Sequence, residues 1–249
     1  MALSRFYRVI EVLTNSASIN SSPIAVRVGA EAETFFVHEN LLCSNSMFFT
    51  KALKKDWQEG EARQVDLPEI DSNVFQVWVK WLYTGRLCYA PAERDDGSDW
   101  FLQDCDMWKD VYALGDFLQD SDLKDAAIDA HVESMLEAND YASSLAEWIY
   151  PYTNQYSKHR GLAVDLYIQV WSRDDLARTG DRPLEYYSNL YLSYPTDFFR
   201  DVTFNMVPHM STGIRSMTIK DFFRGQDRCL YHDHGSEKPC YKTRPTFTL

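Results

Sequence analysis

The sequence predicts an α+β fold: a small β-sheet flanked by α-helices, followed by an α-helical C-terminal region. Three observations carry this. Ile24, Val26 and Val28, then Phe35 and Val37, then Val65 and Leu67 alternate at strand period in short runs. Elsewhere in the first half, apolar residues recur at helical spacing. Beyond Tyr141 no strand pattern returns.

The first half reads as follows. Residues 3–14 can form a short amphipathic helix with Phe6, Val9, Ile10 and Leu13 on one face. Asn15 to Pro23 is a Ser/Asn-rich loop. A hairpin follows: a strand through Ile24–Val28, a turn at Glu31–Glu33, and a return strand from Thr34 to His38. His38 has no nucleophile or second acid near it in sequence, so its expected role is structural, bonded to backbone and partly buried. A one-turn helix carries Leu41 and Leu42. Ser46 then caps a second helix over residues 46–57, where Phe49, Leu53 and Trp57 recur every four residues.

Gln58 to Arg63 reads as a polar loop, and Val65 to Leu67 as a strand stopped by Pro68. Asp71 caps a helix through Leu82 that is apolar nearly all round. Such a helix is buried on most sides, so it is the expected core helix, with Trp78, Leu82 and Phe49 inside. Ala90 to Asp104 reads as a charged surface loop, whose acids lack calcium-loop spacing. Trp108, Val111, Leu114, Gly115 and Leu118 share a helix face, and another helix runs from about Asp122 to Glu137.

In the second half, Leu145, Trp148 and Ile149 suggest a helix ended by Pro151. Leu162, Leu166, Tyr167, Val170 and Trp171 mark the next helix, and Gly180 to Pro183 a turn. Leu184–Tyr191 and Thr196–Met206 read as helices, and residues 213–224 as one more. The last 25 residues are polar, with two prolines, and read as a loose tail.

Composition narrows function. The chain has 249 residues, 45% of them hydrophobic, which suffices for a core. Net charge is −12 with a pI near 4.9, so nucleic acid is not an expected partner. No apolar run is long enough to span a membrane, and no signal peptide opens the chain. Five scattered cysteines, an odd number, fit a reducing intracellular compartment, cytoplasmic or nuclear. Glycine-rich phosphate loops, G-x-S-x-G and H-E-x-x-H are all missing. The pairs Asp95-Asp96 and Asp174-Asp175 lie in polar stretches and read as solvated charge. The expectation is a protein that is not an enzyme. A pocket gathering His38 or His131 with a cysteine and an acid would argue otherwise.

Several motifs fall together in order. The strand ending in Val37-His38 is followed by Leu41-Leu42 and Ser46-x-x-Phe49. Then come Val65-Asp66-Leu67-Pro68-Glu69, Val74-Phe75, and Trp81-Leu82-Tyr83-Thr84-Gly85-Arg86-Leu87. In this order and spacing the chain resembles the BTB/POZ domain family, over roughly its first half. It looks similar to the short, divergent BTB proteins of filamentous fungi, which carry no kelch, MATH or zinc-finger domain. Ser22-Pro23 stands where the family often has an Asp.

The resemblance implies a division into an N-terminal segment (1–19), a BTB/POZ domain (20–137), a helical extension (138–224) placed like a BACK or 3-box region, and a polar tail (225–249). It implies a protein–protein interaction module that dimerises and recruits partners. Many BTB proteins exchange an N-terminal helix and strand between subunits. Two readings therefore stay open for Phe6, Val9, Ile10 and Leu13: a homodimer interface, or a helix folded on its own core. Some cullin-recruiting members carry an apolar residue, any residue, then Glu after the second helix. Trp57-Gln58-Glu59 stands at that place. Trp57 and Glu59 are thus the expected partner-binding residues of an adaptor for a cullin-type ubiquitin ligase. The alternative is a self-associating scaffold in gene regulation.

The tail holds Cys229, His232, His234 and Cys240 within twelve residues. Two thiolates and two imidazoles are what tetrahedral zinc takes, and zinc can order a tail with little apolar content. His-x-His is tighter than the usual finger spacing. No cofactor is expected elsewhere. Two readings remain for the tail: a solvated segment whose cysteines stay reduced, or a structural zinc site pinning it onto the helical half.

Overall fold

The structure, a computed structural model, describes residues 10–11, 20–54, 58–89, 100–170, 194–210, 213, 217–234 and 238–243. The chain divides into two compact units: Met1–His131 with His234–Leu249, and Val132–Asp233.

In the first unit, β1 (Ile10–Glu11) pairs antiparallel with β5 (Arg86–Leu87). Residues 10–11 are therefore strand, not part of the expected helix. A backbone that spends its N–H and C=O groups on a neighbouring ladder cannot also bond along a helix. β2 (Pro23–Val28) and β3 (Glu33–His38) form the expected hairpin, with Ile24 opposite Val37 and Val26 opposite Phe35. β4 (Gln64–Leu67) lies parallel to β2 on its other edge, giving the order β3-β2-β4. The period of two puts Ile24, Val26, Val28, Val37, Val65 and Leu67 all inside.

Helices cover that face. α1 (Glu39–Asn45) buries Leu41 and Leu42. Ser46 then opens α2 (Met47–Ala52), its hydroxyl accepting from the Phe49 N–H at 3.2 Å and donating to the Leu118 carbonyl at 2.6 Å. One hydroxyl thus caps a helix and ties it to a distant element. α2 stops at Ala52, short of the expected end at Trp57. Gln58–Ala62, expected as loop, is a short helix, α3. α4 (Ser72–Thr84) is the core helix, as its pattern requires. Asp71 accepts from the N–H groups of Asn73 and Val74, and Gly85 closes the helix in the left-handed region at φ 65°. Trp78, Leu82 and Phe49 are buried, with Trp78 stacked on Phe49 at 5.5 Å.

α5 (Trp100–Leu118) begins within the stretch expected to be loop. Phe101, Asp104, Cys105 and Trp108 form its buried stripe, and Asp104 accepts from the buried Tyr89 hydroxyl. α6 (Ser121–Ala138) follows after Asp120, whose carboxylate accepts from the Leu123 N–H and from Trp78 Nε1, each at 3.0 Å.

The second unit is helical: α7 (Leu145–Ile149), a 3₁₀ turn through Tyr150–Tyr152, α8 (Lys158–Gln169), α9 (Thr196–Met206) and α10 (Ile219–Phe222). α9 has its expected bounds. Of the helix expected over 213–224, the described residues show Ile219–Phe222, capped by Thr218. Phe198 is the unit's aromatic hub, meeting Tyr150, Tyr167 and Tyr194 at 5.1–5.5 Å. Arg160 lies over the Tyr150 ring and donates to the Tyr150 carbonyl. Trp171, Gly180–Pro183 and Leu184–Tyr191 lie outside the described residues.

For its described residues, the expectation of a loose tail is corrected. Residues 228–231 and 241–243 form 3₁₀ turns, and Tyr231, His232, Cys240 and Tyr241 are buried. Buried aromatic rings contribute to this order, which a polar composition conceals.

Candidate metal centre and partner groove

The tail brings together the four residues that its composition singles out. One donor atom from each of Cys229, His232, His234 and Cys240 lies within 4.8 Å of the others. Local backbone explains how. Cys229 lies inside the 3₁₀ turn Arg228–Tyr231 and His232 caps its end, the His232 N–H donating to the Cys229 carbonyl at 3.2 Å. Side chains three apart in such a turn eclipse, so both face one way. His232 itself is extended, at φ −92° and ψ 142°. In extended chain, residues two apart share a face, which adds His234. Cys240 sits at the entrance of the second turn, its carbonyl accepting from the Thr243 N–H at 2.9 Å. His232 and Cys240 are buried, and Cys229 and His234 half-buried.

The residues interleaved with these donors are held firmly. The Asp227 carboxylate accepts from the Cys229 N–H at 2.9 Å. Tyr231 donates its hydroxyl to Asp165 at 3.0 Å. Asp233 accepts from the Ser157 hydroxyl and from the Lys158 N–H. Further on, Lys238 pairs with Asp122 at 2.9 Å, and Tyr241 donates to Asp129 and meets Trp81 edge-on at 5.7 Å. Burial, then the Asp129 carboxylate, holds the Tyr241 phenol well above its ordinary pKa, so it stays a donor. Anchors thus fix the backbone on either side of each donor, as ligand sites require.

The second feature is a groove on the first unit of about 380 Å³, lined by Phe48, Lys51, Ala52, Glu59, Val65 and Gln119 among others. Glu59 is exposed on α3. Phe48 meets Phe117, 44% exposed, at 4.9 Å, and Met47 beside it is 52% exposed. Glu59 stands out in the sequence; Phe48, Lys51 and Gln119 do not. Phe48 neighbours the inward Phe49, and the half-turn that aims it outward is the available signal. Trp57, and Phe6, Val9 and Leu13 of the N-terminal face, lie outside the described residues; Ile10 is in β1.

The two candidate catalytic histidines are apart from this group. His38 pairs its Nδ1 with the Tyr83 hydroxyl at 2.7 Å, so its partner is a side chain rather than backbone. His131 is fully buried, and burial alone pulls its pKa down to about 3. No described helix is long and apolar enough to cross a membrane, and none of the five cysteines is in a disulfide.

A small three-stranded sheet capped by helices, with an open apolar groove at one edge, defines a protein-interaction module. The family model of the BTB/POZ domain matches residues 20–134, and this part of the chain is a BTB/POZ domain. No curated protein matches the chain.

Proposed function

We propose that this protein is a non-catalytic adaptor whose BTB/POZ domain docks a cullin-type ubiquitin-ligase scaffold beside Glu59, leaving other surfaces to hold a substrate. The observation that supports it is the groove bordered by Glu59, Phe48 and Val65 at the edge of the domain. An apolar cleft rimmed by a carboxylate is the arrangement of an interface hot spot, where one buried anchor carries most of the affinity. Trp57, two residues before Glu59, is the aromatic of the apolar-x-Glu run.

Binding of the purified chain to a purified cullin scaffold tests this. Glu59→Arg and Trp57→Ala each weaken binding by about 2 kcal/mol or more, roughly thirtyfold, with an unchanged circular dichroism spectrum. A wild-type chain that fails to bind any cullin at micromolar concentration overturns the reading and leaves the self-associating scaffold.

A further inference from the structure

We propose that Cys229, His232, His234 and Cys240 bind one zinc ion, and that this closed site is what orders the described tail residues 227–234 and 238–243. The donor set is two thiolates and two imidazoles. Tetrahedral sites of that softness select zinc over the hard cations that carboxylates hold. Ligand atoms about 2.0–2.3 Å from zinc stand roughly 3.3–3.8 Å apart at tetrahedral angles. The four donors lie within 4.8 Å of one another, so even the widest pair needs to close by only about 1–1.5 Å to complete the shell. Among the described residues this is the one gathering of three or more His, Cys, Asp or Glu donors with metal-site geometry.

The tight His-x-His spacing, which argues against a zinc finger, is accounted for by the backbone. The 3₁₀ turn over Arg228–Tyr231 aligns Cys229 with His232, and the extended conformation of His232 aligns His234 with it. A zinc-finger helix would need wider spacing between its histidines; an extended segment does not. Two donors are buried and two half-buried, so the site is shielded without being sealed from the solvent that delivers the ion. All four positions are protein ligands, which leaves no place for a water or substrate. The site is therefore structural.

The energetic reason for an ion is the composition of this run. Among the described residues between Asp227 and Thr243 the buried apolar anchors are Tyr231, Tyr241 and Cys240, and the sequence of the run is otherwise largely polar or charged. A segment with so few apolar contacts does not offset its conformational entropy by burial alone, and metal–ligand bonds supply the difference.

The test uses the full chain, expressed in zinc-supplemented medium and purified without chelator. Elemental analysis is expected to give one zinc per chain. Cys240→Ser and His232→Asn lose it, whereas Cys43→Ser, on α1 far along the chain, retains it. Replacing the ion with Co(II) gives the visible bands of a tetrahedral thiolate site, which the Cys240→Ser variant lacks. Chelation leaves the far-ultraviolet spectrum of the helices largely intact but opens residues 227–243 to limited proteolysis. Less than about a tenth of an equivalent of zinc in wild type overturns the proposal, since structural sites bind far more tightly than purification can strip. So does a mass two hydrogens light, which would mark a Cys229–Cys240 disulfide instead. Cullin binding tests the BTB surface separately, so the two readings fail independently.

Discussion

Asp120 shows what a single residue carries in the first unit. Its carboxylate accepts from the Leu123 N–H, capping α6, and from Trp78 Nε1 of the core helix. Burial, then the nearby Asp122, raises its pKa from 3.8 to about 6. A carboxyl whose folded pKa is raised contributes stability that is complete below the unfolded value. That contribution is lost as pH rises through the folded value, so the window runs from about pH 4 to 6. In free energy this rise amounts to about 3 kcal/mol at most. Asp120→Ala removes the cap and the Trp78 bond and destabilises the chain at every pH. The gap to wild type is expected to be widest at pH 4 and to narrow towards pH 7. Urea unfolding at pH 4, 5.5 and 7 reads this directly, and a gap that widens with pH refutes it.

Among the elements, what the sequence hides is hidden by particular residues. The hairpin, the short strand at Val65–Leu67, the caps at Ser46 and Asp71 and the core helix are all legible, because period and capping are local signals; the parallel pairing of that strand is not. α3 is not, because Gly60 in a polar run reads as a turn. The glycine serves a different end: a Cβ there would clash with the Lys54 carbonyl oxygen. Gly60 lets α3 lie against the end of the preceding segment, which places Glu59 at the groove. Gly60→Ala, ordinarily favourable in a helix, is therefore expected to destabilise the first unit by about 1–3 kcal/mol and weaken binding at the groove. A thermal midpoint equal to or above wild type would contradict this. The first turn of α5 is hidden likewise by Asp104, a charged residue that its bond to Tyr89 allows inside. For the tail, the four donors are legible as residue types. Their gathering is not, since it depends on a 3₁₀ turn and an extended residue that no periodic pattern announces.

The molecule as a whole returns its C-terminal segment to the domain where the chain begins. Residues from His234 onward group with the first unit, and Tyr241 is the contact that carries this. Its ring is 1% exposed, edge-on to Trp81 of α4, and its hydroxyl donates to Asp129 of α6, which also pairs with Lys242. Both partners belong to the helices that close the BTB/POZ domain, so this segment completes the domain's core. Tyr241→Ala leaves a cavity beside Trp81 and an acid short of one donor. The expected cost is about 3–5 kcal/mol, or roughly 10 °C in the thermal midpoint. Tyr241→Phe keeps the ring and leaves Lys242 to serve Asp129, so its cost is about 1 kcal/mol. A chain ending at Ser236 should fall at or below Tyr241→Ala in midpoint, because it removes the same ring together with Cys240 and the Lys238 and Lys242 ion pairs. If truncation and Tyr241→Ala both unfold like wild type, the segment is a passenger and the domain closes without it.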